Sequence, residues 1–502
     1  MTDRWDGARR VLKQFLKDSA VYGAASILVR SISLVLVPFY TRVLVPEDYG
    51  VVDLLAIATS FIAVTVALEI AQAVARFFPD ADDETQRIGY ASTSLWFSVT
   101  AYTLFLVVSM VLADPLSARL LGTEDRVAIF RVAMAVTWLT GVFYLVQSQL
   151  RFSLRPRPYA VASLVFSLTS LATTVLFVLG LHQGVIGVFY GQLVGGVIGL
   201  AVALRYSRDV YRLAFDRAKL GEMLRFSLPL IPSSIGVIVG LYIDRIAINE
   251  LMTLGDVGLF GVGYRLSSLT ALLMVGFASA LTPLVYAHYR EPGTPRELAR
   301  IFRTFTALAL TVCLGLALFA RDILTFVTTP EYVPGAVVVP LLAPALLLSS
   351  MYIFAPGLGI LKQTATISAI NIGAAVLNTV LNFALVPVLG IAGAATATFL
   401  SSATAFGANM VASQRLYPVP HDWRRLGLAV LGAVVLFLVG RGAQVADWPG
   451  VGLRLSLLVV GVGWFIIVGL VEPADIRKTL GRLRRAPAPS VAAKTSDTDM
   501  ER

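Results

Sequence analysis

The sequence predicts an all-α polytopic membrane protein of about fourteen transmembrane helices, in two six-helix lobes at residues 19–206 and 224–415 with two further helices within 426–471. Three observations predict it. Apolar residues make up 57% of the 502-residue chain and charged ones 14%, with a mean hydropathy of +0.78, whereas a soluble domain is nearer one quarter charged. The apolar residues fall into runs close to 20 long, the length a helix needs to cross about 30 Å of hydrocarbon. Lys and Arg crowd into alternate gaps between those runs, the pattern of a chain whose loops alternate between two sides of a membrane.

Taken in order, the runs cover 19–41, 49–76, 90–113, 127–148, 159–181, 184–205, 224–249, 257–287, 301–320, 336–361, 365–387, 391–413, 426–441 and 451–471. The tenth is crowded with Pro340, Pro344 and Pro356 and the thirteenth is short; proline is tolerated in membrane helices where neighbours re-satisfy the freed carbonyls. With the N-terminus placed inside, 31 of the 41 basic residues fall in inner segments and 7 in outer gaps (Arg454 among them), which leaves 3 unplaced. That bias places both termini on the cytoplasmic side. Residues 1–18 then form a cytoplasmic N-terminal segment, 207–223 a cytoplasmic inter-lobe linker, and 472–502 a disordered basic tail near anionic headgroups. The N-terminal apolar run lacks a small-residue cleavage site and is too long for a secretory signal.

The halves repeat. Pro46-Glu-Asp48-Tyr-Gly50, after the first span, aligns with Leu254-Gly-Asp256-Val-Gly258, after the seventh, at an offset of 208; Gly180 and Gly184 align with Gly390 and Gly393 at nearly the same offset. Repeated six-helix units of this kind are found in transporters that rock two lobes about a central site.

Catalysis has little room. No gap between spans houses a soluble domain, and no P-loop, paired acidic motif or Ser-His-Asp pattern stands out, so an enzyme is not expected. One cysteine, Cys313, and three scattered histidines argue against a disulfide framework and against zinc. The formal charge of +10 is spread over short gaps rather than gathered on one soluble face, which argues against nucleic acid.

The three basic residues left over from the inner and outer counts, Arg30, Arg245 and Arg265, all lie inside apolar runs. An Arg at a helix centre costs roughly 2.5 to 3.5 kcal/mol on insertion scales, so each must face protein or water. Arg245 precedes Gly255 by ten residues and Arg265 follows it by ten, which puts both at one depth of a helical hairpin, beside Asp244 and Tyr264. Glu69 should lie near the depth of Arg30. One reading pairs Arg30 with Glu69 and Arg265 with Asp244, leaving Arg245 as surplus positive charge, because neighbouring residues on a helix point about 100° apart. The other is a cationic cavity for an anionic headgroup, suited to the donor fork of Arg. Asp53 is expected at the interface, without a role. Asn371, Asn378 and Asn382 share a helix face, for helix–helix hydrogen bonds or for sugar hydroxyls. Gly191, Gly195 and Gly199 form small-xxx-small motifs of tight helix packing.

Several segments resemble a known family. Pro229-Leu-Ile-Pro232, then Asp244-Arg245-x-x-Ile, Leu254-Gly-Asp256-Val-Gly258 through Tyr264-Arg265, Pro387-Val-Leu-Gly390-Ile-Ala-Gly393, and Thr41-Arg42-x-Leu-x-Pro46-Glu-Asp-Tyr49-Gly50 resemble the polysaccharide-biosynthesis flippases. These are the O-antigen and capsule type exporters of the multidrug/oligosaccharidyl-lipid/polysaccharide (MOP) superfamily, and the resemblance covers roughly residues 15–470. It implies a multi-pass protein of the bacterial cytoplasmic membrane that carries an undecaprenyl-pyrophosphate-linked oligosaccharide to the outer leaflet by alternating access. Arg30, Arg245 and Arg265 would hold the pyrophosphate; Glu69, Asp244, Tyr264, Asn378 and Asn382 would be polar cavity or ion-coupling groups. No cofactor is implied, beyond coupling to a proton or sodium gradient. Partners would be the lipid-linked oligosaccharide, membrane lipids and the polysaccharide polymerase or export machinery. A lipid II-type precursor flippase and an ion-coupled multidrug exporter are the alternatives.

Overall fold

The computed structural model describes residues 21–25, 27–29, 32, 36–122, 125–361, 363–442 and 448–471. Among them the regular structure is helical. In the first repeat the helices are α1 (Pro46–Thr65), α2 (Ile70–Asp80), α3 (Glu84–Val111), α4 (Ala113–Leu121), α5 (Val127–Phe152), α6 (Pro156–Val175) and α7 (Gly184–Ser207). The linker forms α8 (Arg217–Ser227). The second repeat follows with α9 (Ile231–Leu251), α10 (Leu254–Ser267), α11 (Leu269–His288), α12 (Thr294–Val327), α13 (Val339–Ser350), α14 (Thr364–Leu389) and α15 (Ile391–Leu416), then α16 (Trp423–Arg441) and α17 (Trp448–Ile467). Thirteen helical segments among the described residues are long and apolar enough to cross a membrane. Arg30, the N-terminal segment 1–18 and the tail 472–502 lie outside the described residues, and the first expected span is described only in part.

The chain ends its helices where local chemistry requires. α1 starts on Pro46, whose missing N–H costs nothing there, with Glu47 and Asp48 meeting the positive end of the helix dipole. α10 starts on a capping box: the Asp256 N–H donates to Thr253 Oγ1 at 3.2 Å and the Thr253 N–H donates to Asp256 Oδ2 at 3.2 Å. The aspartates of the two repeated motifs are therefore first-turn helix residues.

Several expected spans are interrupted. The second, expected to be continuous over 49–76, breaks at Leu68 and Glu69, which take left-handed φ values of 51° and 54°. The eighth divides at Ser268 between α10 and α11. The tenth is a tight 3-10 segment at Pro330–Val338, then α13, then a second 3-10 turn at Met351–Phe354, because Pro334, Pro340 and Pro344 remove ladder donors. Arg454, counted above with an outer gap, lies inside α17 and is buried.

Contacts divide the chain into two compact units, Met1–Ala287 with Phe319–Tyr417, and His288–Leu318 with Pro418–Arg502. In the first, one apolar core joins α2, α3 and α5 through Ile70, Val74, Tyr102, Phe143 and Val146. A second core joins Leu54 and Ile57 of α1 to Ile248, Phe260, Val338 and Ile391 of the second repeat. The N-terminal part of α1 thus belongs to the first lobe by sequence and buries its apolar side against the second. α6 and α7 meet through Gly191 and Gly195, where an added Cβ would strike Thr174 and Ser170, so the small-residue stripe is a helix crossing. In the second unit, Gly440 and Gly432 of α16 meet Leu318 and Trp464, and Ala307, Ala429, Phe465 and Leu470 form the core.

Candidate functional site

Two arginines and two aspartates, all within spanning helices, meet where α1 crosses α9 and α10. Asp53 of α1 is 7% exposed, Asp244 3% and Arg245 5%. Asp53 Oδ1 accepts from Arg265 Nη2 at 2.9 Å, and its Oδ2 lies 3.5 Å from Arg245 Nε. Arg245 Nη1 donates to Asp244 Oδ1 at 3.2 Å, and the same oxygen accepts the Arg245 backbone N–H at 2.8 Å. Arg265 Nη1 also donates to the Tyr49 hydroxyl. Aromatic faces complete the cage: the Arg245 guanidinium carbon stands 4.0 Å from the Tyr264 ring centroid and 5.3 Å from that of Phe260, and that of Arg265 stands 4.7 Å from Tyr49. Desolvated cations over such faces gain about 2 kcal/mol.

Glycines allow the approach. A Cβ on Gly261 would lie 2.3 Å from Asp53 Oδ2, so the carboxylate rests against bare α10 backbone. Hydrogen bonds at the same end fasten the segment before α1 to the second repeat: Tyr332 OH donates to the Leu44 carbonyl at 2.7 Å and Thr329 Oγ1 to that of Thr41 at 3.1 Å.

This geometry corrects two sequence expectations. Arg265 pairs with Asp53 rather than with Asp244. Arg245 is not surplus charge: its long stem curls back to Asp244, although the two are adjacent on α9, and its Nε reaches Asp53. The four groups sum to zero. Asp53, set aside as interfacial, is the hub, and its signal was available: it lies one helical turn after Tyr49-Gly50, in the motif that recurs in the second repeat. Tyr264 joins the cluster through its ring face, and Arg30 lies outside the described residues. Asn378 and Asn382 are buried on α14; the Asn382 amide donates to the Asn378 carbonyl and to its Oδ1, each at 2.9 Å, while Asn371 is exposed.

Glu69 is not part of this cluster. It stands at the break between α1 and α2 and lines a first-lobe cavity of about 390 Å³ with Thr59, Gln72, Ser98, Tyr102 and Thr140. Ser98 is 1% exposed and its hydroxyl has no hydrogen-bond partner among the described residues. Left-handed backbone at a non-glycine residue costs on the order of 1 kcal/mol or more and is found disproportionately at functional sites.

Spanning helices, repeated halves and buried charges at a lobe–lobe crossing define a multi-pass membrane protein with the two-lobe transporter fold. The chain belongs to the polysaccharide biosynthesis protein family, whose match covers residues 15–287, more than half of it. It is 26% identical over 220 residues to the "probable low-salt glycan biosynthesis flippase Agl15" of Haloferax volcanii, a match covering 43% of this chain and 46% of that protein, so it spans about half the length of this curated relative. Its fold is shared with the lipid II flippase MurJ in an inward closed conformation (TM-score 0.69, 14% identity, 92% of this chain and 100% of that one). It is shared too with an inward-facing multidrug resistance MATE family transporter of the MOP superfamily (TM-score 0.62, 18% identity, 77% of this chain and 95% of that one). These relatives are named as flippases and transporters, not as enzymes.

Proposed function

We propose that this protein is a flippase of the MOP superfamily that moves an undecaprenyl-pyrophosphate-linked oligosaccharide from the cytoplasmic to the outer leaflet of a bacterial cytoplasmic membrane by alternating access. The observation that carries the reading is Asp53, a first-lobe carboxylate engaged by two second-lobe arginines. When the lobes part at this crossing, Asp53 leaves with α1, and Arg245 and Arg265 keep only Asp244. The second-lobe site then turns from neutral to net positive, and a pyrophosphate takes the place of the carboxylate. Substrate anion and Asp53 compete for the same guanidinium donors, so binding and lobe closure exclude each other. Arg30 is proposed to add to this positive site.

A sugar headgroup loses several kcal/mol for every hydroxyl desolvated without a partner, so its path must be polar. The hydroxyl-rich cavity beside Glu69 supplies such a surface in the first lobe. Glu69 or Asp244 is proposed to couple the cycle to protons or sodium, with Asn378 and Asn382 kept as polar supports of the second lobe. The excess of Lys and Arg in alternate gaps supports cytoplasmic termini, which puts the Asp53 crossing toward the outer face. The cluster is neutral when closed, so its charge does not decide against a drug exporter; the family membership does.

The test is mass spectrometry of polyprenyl-linked lipids from cells depleted of the protein. Accumulation of sugar-bearing undecaprenyl pyrophosphate with loss of surface polysaccharide, restored by wild type and not by Arg245→Ala, is expected. Accumulation of lipid II would favour the peptidoglycan precursor, and an unchanged lipid pool with altered drug tolerance would favour the exporter.

A further inference from the structure

The segment that joins the two lobes is fastened to the first of them. Trp96 Nε1 of α3 donates to the Arg212 carbonyl at 3.0 Å, the Arg212 N–H donates to Ser92 Oγ at 2.9 Å, and the Asp216 N–H donates to Thr93 Oγ1 at 3.0 Å. α8 then buries Met223 in the apolar core that holds Ile70 and Val146. The stretch between α7 and α8 is therefore held in one shape. Within it Leu213 is 92% exposed and Phe215 51%. Two large apolar side chains held side by side in water gain nothing, so their fixed display points to an apolar neighbour outside the protein.

The charge around them is of one sign. Each linker carboxylate is engaged: Asp209 accepts from Arg155 Nη1 at 2.9 Å, Asp216 from Lys219 Nζ at 3.0 Å, and Glu222 from the Tyr90 hydroxyl at 2.6 Å. Arg208, Arg212, Arg217 and Arg225 are exposed, and none forms an ion pair among the described residues. Arg212 Nη1 donates to the carbonyls of Arg208 and Tyr211, at 3.0 and 2.9 Å, which leaves its charge unneutralised.

Depth follows from the helices on either side. The last turns of α7 expose Leu204 and Tyr206, and Phe226 and Leu228 are exposed where the next span opens. Aromatic residues at both exits are the mark of a boundary between hydrocarbon and headgroups. A rigid segment at that boundary, with apolar tips between guanidinium groups, fits an anionic lipid surface: the tips enter the interface and the guanidinium groups meet phosphate.

We propose that the inter-lobe linker docks on the headgroups of anionic phospholipids, with Leu213 and Phe215 inserted in the interface and Arg208, Arg212, Arg217 and Arg225 facing lipid phosphates. This surface shares no residue with the Asp53 cluster or the Glu69 cavity and needs no transport substrate.

The test places an apolar bimane label on a cysteine at Leu213, in a Cys313→Ser background of the full-length protein, reconstituted in phosphatidylcholine liposomes. Quenching by nitroxide-bearing phosphatidylglycerol is compared with quenching by the same amount of nitroxide-bearing phosphatidylcholine. Phosphatidylglycerol should quench more strongly, and molar salt should remove the difference, because it shortens the screening length to about 3 Å. Adding Arg212→Gln and Arg217→Gln should lower the phosphatidylglycerol enrichment about tenfold or more, at about fivefold for each arginine near an anionic surface. Equal quenching by the two lipids overturns the anionic surface, and quenching by neither places the linker in water and overturns the docking. Enrichment unchanged in the double arginine variant also contradicts the proposal. If that variant does not insert, the salt titration of the protein with its arginines intact decides, and enrichment that survives molar salt overturns it. The label is read without transport, so the outcome is separate from that of the flippase reading.

Discussion

Gly50 and Gly258 hold equivalent positions in the two repeats and lie against each other reciprocally. A Cβ on Gly50 would fall 2.0 Å from the Leu254 carbonyl oxygen, and one on Gly258 would fall 1.9 Å from that of Pro46, the residue equivalent to Leu254. The two repeats therefore cross about a local two-fold axis through a pair of glycines. One turn further on the symmetry is broken: the equivalent of Asp53 is Gly261, and the carboxylate fills the space the glycine leaves. A charge on one lobe and none at the matching place on the other is what lets Asp53 reach both arginines.

Gly258→Ala should prevent the crossing from closing. A methyl group cannot share space with a backbone carbonyl held in its own helix, so α1 and α10 must separate. In a Cys313→Ser background, cysteines at Thr41 and Thr329 report the closure. The cross-linking rate should fall about tenfold in the Gly258→Ala variant while far-ultraviolet dichroism stays helical; that ratio corresponds to about 1.4 kcal/mol against the closed state.

Removing Asp53 leaves the buried Arg245 and the half-buried Arg265 each short of a partner. Breaking a buried ion pair costs about 3 to 5 kcal/mol, so Asp53→Ala should lower the unfolding midpoint of the purified protein sharply, and Asp53→Ala with Arg265→Gln should recover part of the loss. The exposed Arg76–Asp80 pair is the control: Asp80→Ala should cost less than about 1 kcal/mol, because solvent screens it. Equal effects at Asp53 and Asp80 would remove the cluster from the account.

At Glu69, backbone strain and charge are separable. Glu69→Gly removes the carboxylate and relieves the left-handed backbone, and should stabilise by about 1 kcal/mol; Glu69→Gln removes the carboxylate alone. If the carboxylate couples the cycle to an ion, both lose the dependence of transport on the ion gradient. If only the helix break matters, both keep it. Wild-type flipping in an Asp244→Asn, Glu69→Gln double variant would end the coupling proposal.

The architecture was legible because membrane helices announce themselves by length and composition, and α3, α5, α6, α7, α14 and α15 lie within a few residues of their expected bounds. The breaks were not legible. Nothing in Ala67-Leu68-Glu69-Ile70 resembles a helix stop, since neither Leu nor Glu favours positive φ; tertiary contacts impose it. The buried arginines were legible by their cost in hydrocarbon. Their partners were not, because Asp53 stands 192 residues before Arg245 in the chain and only the folded crossing brings them together. The Asp244–Arg245 contact escaped an argument from helix geometry that treated side chains as short vectors.

His421 sets a pH dependence outside the membrane helices. Its folded pKa, about 4, lies below the usual 6.5, so the folded state binds its proton less readily than the unfolded one. The stability it contributes is complete above about 6.5 and is lost as pH falls toward 4. Proton NMR of the three histidines should show one ring still neutral at pH 5, and that resonance should vanish in His421→Phe.

Purified protein in liposomes carrying an undecaprenyl-pyrophosphate-linked oligosaccharide, with leaflet exposure followed by a membrane-impermeant glycosidase, joins the transport reaction to the Asp53 crossing. The competition between carboxylate and pyrophosphate predicts that wild type makes the whole lipid pool accessible over time, and that Arg245→Ala and Gly258→Ala each leave the inner half protected. Full accessibility with both variants, or none with wild type, would contradict it.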